Sequence, residues 1–212
     1  MYINTLMNPL RTIWVGLTSN YCGDANLVED YWLEIEKTYN SPHRHYHNLS
    51  HLDHLMELAI SHKEYLIDPD TLMFSIYYHD FVYKPLNPNN EQRSANIARK
   101  RLNKLGFPPE QINKCYKQIL ATIDHQSTGD RDANYFLDFD VAILGSSPSR
   151  YTSYTNKIRK EFSMVPDLVY RKGRIKVICH FLNMERIFKT EEFFTRYEQQ
   201  ARTNLQKELD KL

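Results

Sequence analysis

The sequence predicts an all-α fold, a single-domain helical bundle over residues 1–212, and three observations carry that prediction. Apolar residues recur at helical spacing in segment after segment. Proline, glycine and short polar side chains fall where helices start and stop. No run of alternating apolar and polar residues is joined by a hairpin turn.

In chain order, Ala25–Tyr39 carries Leu27, Val28, Tyr31, Trp32 and Ile35 on one stripe and stops before Ser41-Pro42. Ser50–Leu66 repeats the pattern with Leu52, Leu55, Met56, Ala59 and Ile60, with Asn48 or Ser50 as N-cap. Thr71–Tyr83 follows, with Asp70 placed to cap it and Pro85 beyond it. Glu91–Leu105 meets Gly106 at the position just past the helix, and Pro108-Pro109 suits the first turn of the next, Glu110–His125. The last third reads as helices over Tyr135–Leu144, Arg150–Phe162, Asp167–Met184 and Glu191 to the C-terminus. Phe193, Phe194, Tyr197, Ala201 and Leu205 line one side of the last helix, a stripe that reads as packing within the chain rather than a dimer contact.

A length of 212 residues suits one core, with no repeat or linker-like stretch to divide it. Lys plus Arg number 27 against 26 Asp plus Glu, a net charge of +1, which supplies no overall field toward nucleic acid or an anionic membrane. With 42% hydrophobic and 25% charged residues, disordered and low-complexity classes are excluded. Cys22, Cys115 and Cys179 are distant and unpaired in spacing, so they read as free thiols of a reducing compartment. Met1–Leu17 lacks the pattern of a signal peptide and no run reaches the ~20 apolar residues of a membrane span, so a cytoplasmic protein is expected.

The chemistry-bearing residues are concentrated. Of 9 His, seven fall between His43 and His79. In Thr71–Tyr83, Leu72, Ile76, His79 and Tyr83 share a helical face, and His79-Asp80 is surrounded by apolar and aromatic residues. A carboxylate there is costly unless paired with positive charge, no Lys or Arg of the helix supplies it, and a metal ion would. His51 shares a face with Leu55, Leu58 and His62, and His47 lies one turn back if the helix extends that far. Asp138 and Asp140 sit inside an apolar helix but point ~200° apart, so one faces a site while the other caps or supports.

Each feature also has an ordinary explanation. A histidine on an apolar face is commonly a satisfied core residue, His43-His45-His47 fits a polar loop, and an Asp near a helix start commonly caps. All three explanations would have to hold at once. Three segments that each set His or Asp against a core point instead to one shared polar centre.

With a His on one helix, His-Asp on a later one and a distant Asp on a third, the chain resembles the HD-domain superfamily of metal-dependent phosphohydrolases. His51, His79, Asp80 and Asp140 match in order, with gaps of 28 and 60 residues. It is more closely similar to an uncharacterised subgroup of about 200 residues. The shared motifs are Arg44-His45-Tyr46-His47-Asn48-Leu49, Tyr78-His79-Asp80, Asn90-Glu91 with Ser94-Ala95, Leu137-Asp138 with Asp140 and Ile143-Leu144-Gly145, and Ala201-Arg202 with Asn204-Leu205. The resemblance implies an HD-type bundle with its metal-site helices at about 44–144, and a divalent ion held by His51, His79, Asp80 and Asp140. His47 and His54 compete with His51 for the first position. The glycine-tyrosine-proline signature of cyclic-dinucleotide phosphodiesterases is absent.

A mixed His and carboxylate set suits Mn, Fe, Co, Ni, Zn or Mg. Such an ion lowers the pKa of bound water and polarises a phosphoryl oxygen. The expected reaction is hydrolysis of a small phosphorylated substrate, a nucleotide being one candidate. Asp80 and Glu91 are the catalytic candidates, and Arg44, His47, Lys84 and Arg93 the substrate-binding ones. His47, His125 and Asp138 are candidates for a second metal or for supporting the ligands. Two alternatives belong to other classes: a catalytically silent binding module that keeps its metal for stability, and a dinuclear-iron oxygenase of HD type, which would recruit His47 and His125.

Overall fold

The computed structural model describes residues 8–212, and every regular element in it is helical. Its elements are α1 (Pro9–Thr18), α2 (Ala25–Tyr39), α3 (Leu49–Ser61), α4 (Pro69–Tyr78), α5 (Asn90–Lys104), α6 (Pro109–Ala121), α7 (Arg131–Val141), α8 (Pro148–Glu161), α9 (Asp167–Leu182) and α10 (Glu191–Leu209), with single 3₁₀ turns at Lys63–Tyr65 and Ala142–Gly145. Among the described residues no helix is long and apolar enough to cross a membrane. The described chain divides into two compact units, one of residues up to Ser41 with His47–Asp124, the other of Pro42–Tyr46 with His125–Leu212.

In the first unit, α4 is the central element. Every residue from Thr71 to Tyr78 is buried, with α3, α5 and α6 packed against it. Around it Trp14 of α1 meets Phe74, Tyr77 and Tyr78 edge-on, with ring centroids 5.8, 5.1 and 6.2 Å away. The Trp14 indole donates to Val28 O, and the Tyr77 hydroxyl donates to Leu10 O. Helix α1 therefore closes the core, although periodicity marked no helix there; ten residues are too few for a spacing pattern to stand out.

Several helix limits differ from those expected. Helix α3 stops at Ser61 because His62 turns its ring onto Leu58 O (2.7 Å) and the chain tightens into a 3₁₀ turn. Helix α4 is capped by Asp68, whose carboxylate accepts from Thr71 N, with Pro69 in the first turn. Asp70, the expected cap, accepts instead from the Tyr21 hydroxyl at 2.6 Å. Helix α4 also ends at Tyr78, so Tyr83 shares no helical face with His79. Gly106 does terminate α5 with φ +78°, as its place in the sequence predicts.

In the second unit, α10 packs on α9 and on the turn Ala142–Gly145. Phe193, Ala201 and Leu205 are buried, Phe193 lying 5.4 Å from Phe139, so the apolar side of α10 does pack within the chain. Asn204 ties the junction by donating to Leu144 O and Ser146 O, both at 2.8 Å. At Gly145 the backbones approach so closely that a Cβ would stand 2.5 Å from Tyr197 Cβ and 2.8 Å from Tyr197 O. Because a helix backbone cannot step aside as a side-chain tip can, Gly145→Ala is expected to lower stability by about 2–3 kcal/mol, read as a lowered midpoint in chemical unfolding.

Candidate metal centre

In the first unit the site is built from two helix ends and a loop. Asn48 caps α3 by accepting from Ser50 N, which starts the helix at Leu49 and carries His51 inward, 5% exposed. His47 precedes the cap, so it is not a turn of the same helix. Its ring lies against Tyr83, centroids 4.2 Å apart, and its Nε2 is 4.0 Å from Asp80 Oδ2. His79 is the C-terminal cap of α4, 2% exposed, and Asp80 follows in the turn. His54, on α3, is 3.9 Å from Glu57 and more exposed than His51.

Hydrogen bonding fixes the chemistry of this group. His79 Nδ1 lies 2.9 Å from Ile76 O, and a carbonyl can only accept, so Nδ1 holds the proton and the Nε2 of neutral His79 presents a lone pair. That Nε2 is 3.1 Å from Asp80 Oδ2 and 3.3 Å from His51 Nε2, and His51 Nε2 is 3.8 Å from Asp80 Oδ2. Two acceptors, an imidazole lone pair and a carboxylate oxygen, therefore face each other with a second imidazole beside them. Positive charge among its members, as a proton or a metal ion, would relieve the facing of these two acceptors. Donors around one ion at ~2.1 Å stand about 3.0–3.4 Å apart, which the 3.1 and 3.3 Å separations about His79 match and the 3.8 Å His51–Asp80 separation exceeds.

In the second unit, Asp140 lies near the end of α7, and its Oδ2 is 3.0 Å from His125 Nε2. His125 holds φ +52°, a left-handed conformation that few side chains adopt, and strain of this kind collects where a side chain must be aimed. A histidine on a carboxylate is the common way of orienting a ligand. Asp138, two residues earlier, does other work. It is fully buried and accepts from Lys189 N (2.6 Å), Thr190 N (2.7 Å) and Thr190 Oγ1 (2.7 Å), holding the start of α10. Burial pushes its carboxyl up to about 6, against the pull of those hydrogen bonds. Asp138→Ala orphans these donors and is expected to cost about 3 kcal/mol or more, measurable by thermal unfolding at pH 7.

The remaining candidates are dispersed. Lys84 is exposed in the segment after His79-Asp80, Arg93 is exposed on α5, and Glu91 is half-buried in the first turn of α5. Arg44 is half-buried in the short piece grouped with the second unit. Periodicity missed the residues that brace the site. Asn90 clasps Lys84 by accepting from its N–H and donating to its carbonyl, and Ser94 accepts from Val82 N at 2.9 Å. Both thereby tether the segment that follows Asp80. Glu198 accepts from Ile187 N, Phe188 N and Arg202, securing the loop that Asp138 also grips. Asn90 and Ser94 were signalled in the sequence by their place in a shared motif, and Glu198 by nothing. Cys115 is buried and its thiol is pushed up to about 12, which leaves it unreactive at neutral pH.

Comparison with protein-family models, with curated proteins and with solved structures finds no match to this chain.

Proposed function

We propose that this chain is a metal-dependent phosphohydrolase of HD type, cleaving a small phosphate ester with water. One observation carries the reading: the His79 lone pair, the Asp80 carboxylate and His51 converge within 3.1–3.8 Å as a mostly buried cluster of the first unit. His51, His79 and Asp80 would hold a divalent ion. When bound, the ion supplies Lewis acidity and lowers the pKa of water.

The protein's own side chains do the rest. Ile76 O keeps the proton on His79 Nδ1 and so keeps Nε2 available. Asp80, the most exposed of the three, has an oxygen with which to orient water and accept its proton. Glu91 is the candidate to return a proton to the leaving group. Lys84 and Arg93 are the cations of the first unit to match the charge of a phosphoryl group.

Elemental analysis of protein purified without chelator tests the reading first, with close to one transition metal per chain expected. Two irons and oxygen-dependent turnover would favour the oxygenase. A bound metal with no turnover across a broad phosphate-ester panel would leave a silent binding module. No metal, even after incubation with Mn or Ni, would end the proposal.

A further inference from the structure

A second surface is concealed by the near-neutral charge of the whole chain. Residues 150–182, which contain α9 and nearly all of α8, hold eight basic and two acidic side chains, a net of +6 in a chain that sums to +1. Both acids are already engaged. Glu161 is buried and accepts from Tyr46 N at 2.7 Å, and Asp167 is bridged by Arg159. Of the basic residues, Arg174 is buried on Glu208. Arg150, Lys157, Lys160, Arg171, Lys172 and Lys176 are exposed.

Apolar side chains stand among these cations. Met164, in the turn between α8 and α9, is 93% exposed, and Leu168 and Val169 in the first turn of α9 are 67% and 46% exposed. On α9 the buried residues Arg174, Ile178 and Phe181 define the inward face. At ~100° per residue, Val169, Lys172 and Lys176 fall on the opposite face and Leu168 on its flank. Exposed apolar residues on one segment with exposed lysine and arginine are the composition of a surface that lies on anionic lipid. The apolar tips enter the headgroup region and the cations meet the lipid charge. An acidic peptide or a nucleic acid would engage the cations but would do nothing for an exposed Met164 and Leu168.

We propose that the α8–α9 hairpin is a docking surface for an anionic phospholipid membrane, binding weakly and reversibly because few apolar side chains insert. The test is co-sedimentation of the full chain with phosphatidylcholine vesicles, with and without phosphatidylserine, at low and high salt. Binding is expected only with phosphatidylserine and at low salt. Lys172→Gln with Lys176→Gln is expected to reduce it by about 25-fold, taking roughly fivefold for each cation near the surface. Met164→Ser with Leu168→Ser, which leaves the charge alone, is expected to reduce it about tenfold or more. These residues are exposed, and circular dichroism checks that each variant is folded. Failure of the unaltered chain to bind phosphatidylserine vesicles at low salt would overturn the proposal. Unchanged binding by the serine variant would also overturn it, since the surface would then be a general polyanion site.

Discussion

His79→Ala is expected to remove the metal and to lower any metal-dependent hydrolysis by about a thousandfold or more, since the ion is asked to supply several kcal/mol of transition-state stabilisation. The effect is large because His79 lies next to both partners, 3.1 Å from Asp80 and 3.3 Å from His51. Removing it leaves two donors of the first unit without their shared neighbour. Helical circular dichroism should stay near that of the unaltered chain, because His79 stands at the end of α4 and forms no interior rung of it. The ring is nevertheless buried, so His79→Gln serves as the second variant, filling more of the space while placing its amide differently. Metal content is measured on both. Full occupancy in either variant, or undiminished turnover, would sink the proposed site.

The second large effect concerns stability. Arg174 is buried and forked onto Glu208, with Nε at 2.8 Å from Oε1 and Nη2 at 2.9 Å from Oε2. Its guanidinium lies over the Tyr154 ring and donates to the Tyr154 hydroxyl at 3.3 Å, while the Tyr151 hydroxyl donates to Glu208. Arg174→Ala strands the Glu208 carboxylate in a half-closed setting and is expected to cost about 3–5 kcal/mol. For a chain of this size that lowers the melting temperature by roughly 10 °C or more. Replacing both partners, Arg174→Met with Glu208→Leu, should recover most of the loss, because no charge is then left buried alone. A double variant as unstable as Arg174→Ala would show that packing of the arginine stem, not charge pairing, sets the cost.

Local pattern carried far in this chain. The limits of α2 coincide with the apolar stripe from Ala25 to Tyr39, and Gly106 stops α5 as its position implies. These features depend on a few consecutive residues and on backbone preferences that sequence displays directly. Where a side-chain hydrogen bond intervened, pattern reading failed. Asp70 looks like a cap until Tyr21 takes it, and His62 ends α3 by turning onto Leu58. His47 looks like a member of α3 until the Asn48 cap excludes it.

The candidate site divides in the same way. That His51, His79 and Asp80 form a candidate site was readable from residue type, because a His-Asp pair in an apolar setting is costly without positive charge beside it. Which nitrogen of His79 is proton-free depends on how its ring turns onto Ile76 O, and that Asp138 grips a loop while Asp140 meets His125 depends on atoms brought from elsewhere in the chain. Charge shows the contrast most sharply. By itself the sequence determined an all-helical chain, its helix signals and a concentration of His and Asp, because these follow from composition and from periods of a few residues. Only the tertiary structure decided where α3 and α4 end, which histidine meets which carboxylate, and that six cations and Met164 face solvent on one segment of a chain whose sum is +1, because burial and pairing are set by distances that no linear spacing contains.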